Sequence, residues 1–171
     1  MKIHSEMTMN NRRYAQGSEI PWYSVYPFFL IHMLAFGASG FAMAYAKNGP
    51  PVAFLYAHGG IAIFVYTIFY LAIFGRDEVK WMFINAGLGL LGIYTQIGWI
   101  LSLFKKEIGD YPIHVHVIPF LYFVLYTFLL HQAVLDITHS RGDAPKKNRV
   151  EFGYIAISVA VYLISFYLKR S

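Results

Sequence analysis

Five long stretches of the chain contain no Asp, Glu, Lys or Arg, and this feature constrains the fold more than any other. They cover residues 27–46, 52–74, 81–104, 112–135 and 152–168. A helix rises about 1.5 Å per residue and the hydrocarbon core of a bilayer is about 30 Å thick, so roughly 20 apolar residues cross it. Four stretches have that length. The fifth has 17 residues, but polar side chains at both of its ends can reach the interface. We therefore predict an all-α integral membrane protein surrounded by a lipid bilayer.

The predicted architecture is an up-and-down bundle of five transmembrane helices that form one domain, residues 1–171. We expect the helices at about 22–46, 52–75, 81–104, 112–138 and 150–168, after a polar N-terminal segment at 1–21. Since the loops are short, consecutive helices should be antiparallel neighbours. The first four helices would form a cofactor-binding core, to which the fifth is added.

The basic residues are divided unequally between the two sides of this bundle. Nine of the 14 Lys and Arg residues fall on the side of the N-terminus and five on the other side. The positive-inside rule therefore predicts a multi-pass protein of the inner (cytoplasmic) membrane with a cytoplasmic N-terminus. Because the basic residues sit in short loops and form no stripe, we exclude nucleic acid as a partner. The two groups are Lys2, Arg12, Arg13, Arg76, Lys80, Arg141, Lys146, Lys147 and Arg149 against Lys47, Lys105, Lys106, Lys169 and Arg170.

The chain has no cysteine, which narrows the cofactors that it can bind. Disulfides, iron–sulfur clusters, covalently attached c-type haem and thiolate zinc sites are all excluded. A metal or cofactor must be held by His, Met, Asp, Glu or backbone atoms.

Five of the seven histidines lie inside the charge-free stretches, where ionisable side chains are costly and usually face a partner or a cofactor. Counted from the ends of their stretches, His32 and His131 lie roughly 6–8 Å from the N-terminal side of the membrane. His58 and His116 lie roughly 6–9 Å from the opposite side. Positions 116 and 131 differ by about 60° around the fourth helix, so one helix face presents both. His114 is rotated by roughly 100° the other way and is the weaker candidate.

Two pairs of imidazoles at two depths are the arrangement that two b-type haems need, each iron being held by two neutral imidazoles. The macrocycles require small residues where they meet the helix backbone, and their propionates suit cationic side chains near the interfaces. The predicted ligand pairs are His32 with His131, and His58 with His116. The predicted cradle and propionate partners are Gly37, Gly40, Gly59, Arg13 and Arg76.

This placement of His32, His58, His116 and His131 resembles the membrane-bound di-haem cytochromes b. That group includes the b561-like four-helix bundles and the haem subunits of quinone-linked oxidoreductases. The resemblance implies non-covalent haem b, electron transfer across the bilayer and exchange with the quinone pool. It also implies a subunit of a larger respiratory or redox complex, with other membrane or peripheral redox subunits as partners, rather than an enzyme acting alone.

Three alternatives remain open. The chain can hold a single haem, or it can be a cofactor-free accessory subunit whose histidines bond to carbonyls and hydroxyls of neighbouring helices. An intramembrane copper site is the third alternative, with His114, His116 and His58 as ligands. It requires the first turn before Pro119 to be unwound, since Pro119 removes a backbone donor there. Which of His114 and His116 is the better ligand also stays open.

A quinone pocket is a further hypothesis for the N-terminal side. A carboxylate or an imidazole there could take up quinol protons. A solvated helix end is the interpretation we prefer for the same residues. They are Tyr70, Arg76, Asp77, Asp136 and His139.

Overall fold

The structure is a computed structural model that describes residues 2–9 and 11–168, without the side chains of residues 9, 24, 93, 94 and 168. Lys169 and Arg170, which entered the charge count above, lie outside the described residues. Long helices dominate the described part of the chain, as predicted. In chain order the elements are β1 Met7–Met9, β2 Arg12–Tyr14, α1 Trp22–Tyr45, α2 Val52–Phe74, α3 Arg76–Val79, α4 Trp81–Leu103, 3-10 turns at Ile108–Asp110 and Ile113–His116, α5 Val117–Ile137 and α6 Ala144–Leu168.

The long helices have the length and composition of membrane spans. Four of them qualify on their own: Val25–Tyr45, Val52–Phe74, Ile113–Ile137 and Ala144–Tyr167. The remaining segment qualifies as a bent pair, Arg76–Gly92 and Thr95–Leu103, with an angle of 53° between its halves. The all-α membrane bundle is therefore confirmed, and the chain is a multi-pass membrane protein in a lipid bilayer.

The bend in α4 has a local cause. Gly92 packs against the ring of Tyr162 on α6, so a side chain at this position would collide with that ring. The Thr95 hydroxyl donates a hydrogen bond to the Gly92 carbonyl at 2.7 Å. Glycine and a hydroxyl bonded to the preceding turn are both recognised causes of helix bending.

Helix α5 lies at the centre of the bundle and packs against α1, α2, α4 and α6. Half of the residues in its apolar window are buried, against 6% for α6. Tyr70 and Phe74 of α2 make ring contacts with Phe128 of α5 at centroid distances of 5.1 and 5.5 Å. The core is thus an apolar layer between α5 and its neighbours, with α6 at the periphery.

Two helix starts differ from the prediction. Helix α6 begins at Ala144, six residues before the predicted start, because Asp143 caps it: the Lys146 amide donates to Asp143 Oδ1 at 3.0 Å. The complete helix α6 is long enough to span a membrane, although the fifth charge-free stretch alone is short. Helix α5 begins later than predicted, at Val117, after a 3-10 turn. Pro119 has no amide hydrogen to donate to residue 115, which accounts for the delay.

The N-terminal segment folds over one end of the bundle. β1 and β2 form an antiparallel hairpin, and the side chains of Ile3 and Ile20 are buried. The backbone amides of His4 and Ser5 both donate to the carbonyl of Ala72, at 2.8 and 3.0 Å. This polar segment therefore caps the end of α2 rather than extending away from the bundle.

Candidate functional site

A groove of about 340 Å³ between α1 and α2 contains two of the predicted haem ligands, His32 and His58. On α1, one face presents residues 28, 32 and 36, spaced one helical turn apart. On α2, residues 58, 62, 65 and 69 follow a helical face in the same way. Apart from the two imidazoles, the lining is almost entirely apolar and aromatic.

His32 is exposed on the outer surface of α1, so the groove opens toward the surrounding lipid. Its Nδ1 lies 2.7 Å from the carbonyl oxygen of Phe28, and its ring lies on the Phe28 ring at 4.3 Å. Because a carbonyl can only accept, Nδ1 carries the hydrogen and Nε2 keeps its lone pair. This is the tautomer in which histidines commonly bind metals, with the other nitrogen tied to a backbone carbonyl.

His58 is half-buried on the α2 side of the groove. Its ring stacks on Phe54 at 6.2 Å and contacts Phe36 at 5.9 Å. Among the described residues, its buried Nδ1 has no hydrogen-bond partner. A buried polar atom without a partner is unusual enough to require an explanation, such as an absent ligand or water.

Phe36 lies on the helix face that carries His32 and contacts His58. It lies one helical turn beyond His32 on α1, a rise of about 6 Å. Two imidazoles on adjacent helices, one with its Nε2 lone pair free and one with an unpartnered Nδ1, therefore line the same apolar groove. This donor set fits a haem b held by two neutral imidazoles.

His131, predicted to share a haem with His32, has its contacts on the other side of the bundle. It is fully buried, stacks on Trp81 of α4 at 4.2 Å and contacts Tyr154 of α6 at 5.1 Å. Its Nε2 lies 4.0 Å from Glu151 Oε1. The hydrogen bonds and ring contacts of the described residues therefore join His131 to α4 and α6, whereas those of His32 stay on α1.

His116, predicted to share a haem with His58, faces α1 instead of α2. Its Nδ1 lies 2.8 Å from the hydroxyl of Tyr45. His114 is exposed, and its carbonyl accepts a hydrogen bond from Tyr56 of α2 at 2.8 Å. The turn that carries both histidines is indeed not α-helical, as the copper alternative required. Within residues 2–9 and 11–168, however, no three His, Asp or Glu side chains are arranged to hold one metal ion.

The predicted cradle residues have different surroundings. Gly59 packs against Ile118 of α5, and a Cβ at Gly40 would lie 3.2 Å from the ring of Tyr122, so side chains fill the space beside both glycines. Gly37 has open space, with no atom within 4 Å of a Cβ built there. Of the predicted propionate partners, Arg13 pairs with Glu6 in the N-terminal region. Arg76 lines a cavity at the N-terminal end of the bundle.

That cavity, of about 750 Å³, collects four of the five residues of the quinone hypothesis: Arg76, Asp77, Asp136 and His139. The fifth, Tyr70, is buried elsewhere and donates to the sulfur of Met33 at 2.8 Å. The N-terminal segment contributes Lys2, His4 and Glu19 to the lining, which the sequence did not suggest.

Asp136 at this cavity is held by two partners. The Tyr26 hydroxyl and the Arg141 guanidinium both donate to its carboxylate, and Arg141 also donates to the Gln132 carbonyl at 3.1 Å. Burial lowers the pKa of Arg141, but the hydrogen bond to Asp136 and the charge of Asp136 raise it by more, so it lies above its ordinary value. Asp136 and Arg141 therefore form a fixed ion pair, with balanced charges, at this end of the bundle.

A half-buried polar cluster between α3, α5 and α6 was not predicted. Lys147 pairs with Glu78 and lies 3.6 Å from Glu151, and Gln132 donates to Glu78 at 3.2 Å. The signal in the sequence was the Lys147 and Glu151 spacing of four residues, which places both on one helix face. The sequence did not lead us to predict this cluster, because the two residues lie before the fifth charge-free stretch.

Comparison of the chain with protein-family models, with curated proteins and with solved structures finds no match in any of the three. The chemistry of the groove and of the cavity therefore has to support the functional conclusion by itself.

Proposed function

We propose that this chain is a membrane electron-transfer protein that binds one haem b between α1 and α2, with His32 and His58 as the iron ligands. The observation that carries the proposal is that both imidazoles line one apolar groove between α1 and α2. The unpartnered Nδ1 of His58 and the free Nε2 of His32 support it. Of the one-haem and two-haem predictions, the one-haem form agrees better with the contacts of His116 and His131.

A haem b with two imidazole ligands supplies one-electron exchange between ferric and ferrous iron. The chain's own residues would hold it in place. The hydrogen bond from His32 to the Phe28 carbonyl keeps the ligating tautomer and ring orientation. The aromatic side chains Phe28, Phe36 and Phe69 line the groove and exclude water.

Quinone is the redox partner that we propose, within a larger redox complex of the inner membrane and with the N-terminus in the cytoplasm. The supporting observation is the cavity at the N-terminal end, where Asp77 and His139 are exposed beside Arg76. Exposed carboxylate and imidazole groups can exchange protons with a quinol at such a position. The unequal distribution of Lys and Arg supports the orientation.

The experiment is a reduced-minus-oxidised visible spectrum of protein purified in mild detergent from haem-replete cells, with the haem content measured as the pyridine haemochrome. We expect one haem per chain and reduction by a soluble quinol analogue as well as by dithionite. His32→Gly and His58→Ala should each lower the haem content by about tenfold or more. Since His32 is exposed to the groove mouth, added imidazole should restore part of the spectrum of His32→Gly.

The matched controls are His114→Ala and His116→Ala, which remove imidazoles outside the groove and should leave the haem content unchanged. Purified protein without any Soret absorbance would refute the proposal. Two haems per chain in the wild type, with one lost in His116→Ala and one in His131→Ala, would instead support the depth-matched pairs.

A further inference from the structure

A second groove, between α1 and α4, is larger and contains no histidine. Its volume is about 650 Å³, and α5 forms its floor through Tyr122 and Tyr126. α1 and α4 both pack against α5, which separates them and leaves the groove open along the bundle surface. Gly37 contributes to the open space, because no atom lies within 4 Å of a Cβ built on it.

The groove is long enough to cross the hydrocarbon part of one bilayer leaflet. Along α1 it extends from Met33 to Ala46, near the end of the helix. The 13 steps between these two residues correspond to a rise of about 20 Å, against about 15 Å for half of the hydrocarbon core. A ligand of this length that enters from the membrane is an acyl chain whose headgroup lies at the Ala46 end.

Three lysines surround that end of the groove. Lys106 lines it directly, and Lys47 and Lys105 follow the lining residues Ala46 and Phe104. Lys106 is held at the rim because its Nζ donates to the carbonyl of Tyr45.

None of the ion pairs in the described part of the chain involves these lysines. The nearest acidic residues in the sequence, Glu107 and Asp110, bond to each other's backbone amides. These two carboxylates keep their charge, so the three lysines leave a net positive charge at the groove end, and none of the three is paired with a carboxylate in the described part of the chain.

We propose that this groove binds one anionic phospholipid, with an acyl chain along α1 and α4 and its phosphate beside Lys47, Lys105 and Lys106. Charge complementarity selects an anionic headgroup over a zwitterionic one, since each lysine near a membrane surface attracts anionic lipid. The site is separate from the His32 and His58 groove and does not depend on a haem.

The test is native mass spectrometry of the full chain released from vesicles of equal parts phosphatidylglycerol and phosphatidylcholine. We expect one retained phospholipid per chain, with phosphatidylglycerol at least about tenfold over phosphatidylcholine. Replacing Lys47, Lys105 and Lys106 together by Gln should reduce this preference to about twofold or less. All three side chains lie at the surface or the rim, so the fold should be retained.

The matched control replaces Arg12, Lys146 and Arg149 by Gln, which removes the same charge from exposed positions at the other end of the bundle. It should keep the wild-type preference. Filling the groove by Ala42→Phe should lower retention of both lipids. Equal retention of the two lipids by the wild type, or an equal effect of the control, would overturn the proposal. So would retention of free oleate without phosphatidylglycerol in oleate-doped vesicles.

Discussion

His131 shows how much the meaning of one residue depends on its neighbours. In the sequence it is an imidazole at haem-ligand depth. In the structure its ring is fully buried. It stacks on the Trp81 ring, with an angle of 21° between the two planes. The polar groups around it, Gln132 and Glu151, belong to the cluster that also contains Glu78 and Lys147. These contacts indicate a packing role at the junction of α4, α5 and α6.

Replacing His131 by Ala should therefore lower stability and leave the haem in place. The substitution leaves a buried cavity beside Trp81, which we expect to cost about 2–4 kcal/mol of unfolding free energy. The measurement is thermal unfolding in detergent, together with the haem content of the folded fraction. His114→Ala, at an exposed position, is the control and should change neither. A folded His131→Ala protein that has lost its haem would contradict the packing role.

At the scale of helices, glycines decide how closely the outer helices approach α5. The side chain of Ile118 occupies the space beside Gly59 of α2, and Phe123 lies 3.0 Å from a Cβ built on Gly89 of α4. Lipid tails are as apolar as the helices, so no hydrophobic driving force holds membrane helices together. Small residues at the contacts let the helix backbones approach closely and pack by van der Waals attraction. Gly59 and Gly40 were predicted to make room for a macrocycle, but in the structure they make room for neighbouring side chains.

The adjacent glycines Gly59 and Gly60 offer a matched test of this packing. Gly59→Ala forces a methyl group against Ile118 and should destabilise the protein by about 1–3 kcal/mol. Gly60→Ala has no atom within 4 Å of the new Cβ, so it should be neutral or stabilise the helix by up to about 1 kcal/mol. Unfolding of both variants in detergent gives the comparison. In an Ile118→Ala background, which removes the Cγ2 nearest to the new Cβ, Gly59→Ala should cost less, and equal stabilities of Gly59→Ala and Gly60→Ala would disprove the contact.

At the scale of the whole molecule, α5 divides the bundle into two halves with different chemistry. α1 and α2 carry the groove with His32 and His58 on one side, and α3 and α6 form the polar cluster with α5 on the other. Helix α6 is apolar, yet most of its residues are not buried against the other helices of the bundle. Its surface is therefore available to lipid or to another membrane subunit.

The orientation of the whole bundle can be tested directly, because the chain has no native cysteine. With the N-terminus in the cytoplasm, Lys105→Cys should react with a membrane-impermeant maleimide in intact cells. Arg12→Cys should react only after permeabilisation. Both positions are exposed, so access is limited by the membrane alone. The opposite labelling pattern would reverse the predicted orientation.

The presence of several long apolar helices suited to crossing a membrane followed from the sequence, because it depends only on local composition and on a fixed rise per residue. The same reasoning placed Arg76, Asp77, Asp136 and His139 at one end of the bundle, where they line one cavity. The pairing of the histidines did not follow, since depth leaves open the direction in which a side chain points around its helix. That direction is decided by the packing of all the helices together. Gly59 packs against Ile118 and so holds α2 against α5, and Trp81 stacks on His131 and so holds it against α4. Only the tertiary structure could therefore bring His32 to the same groove as His58.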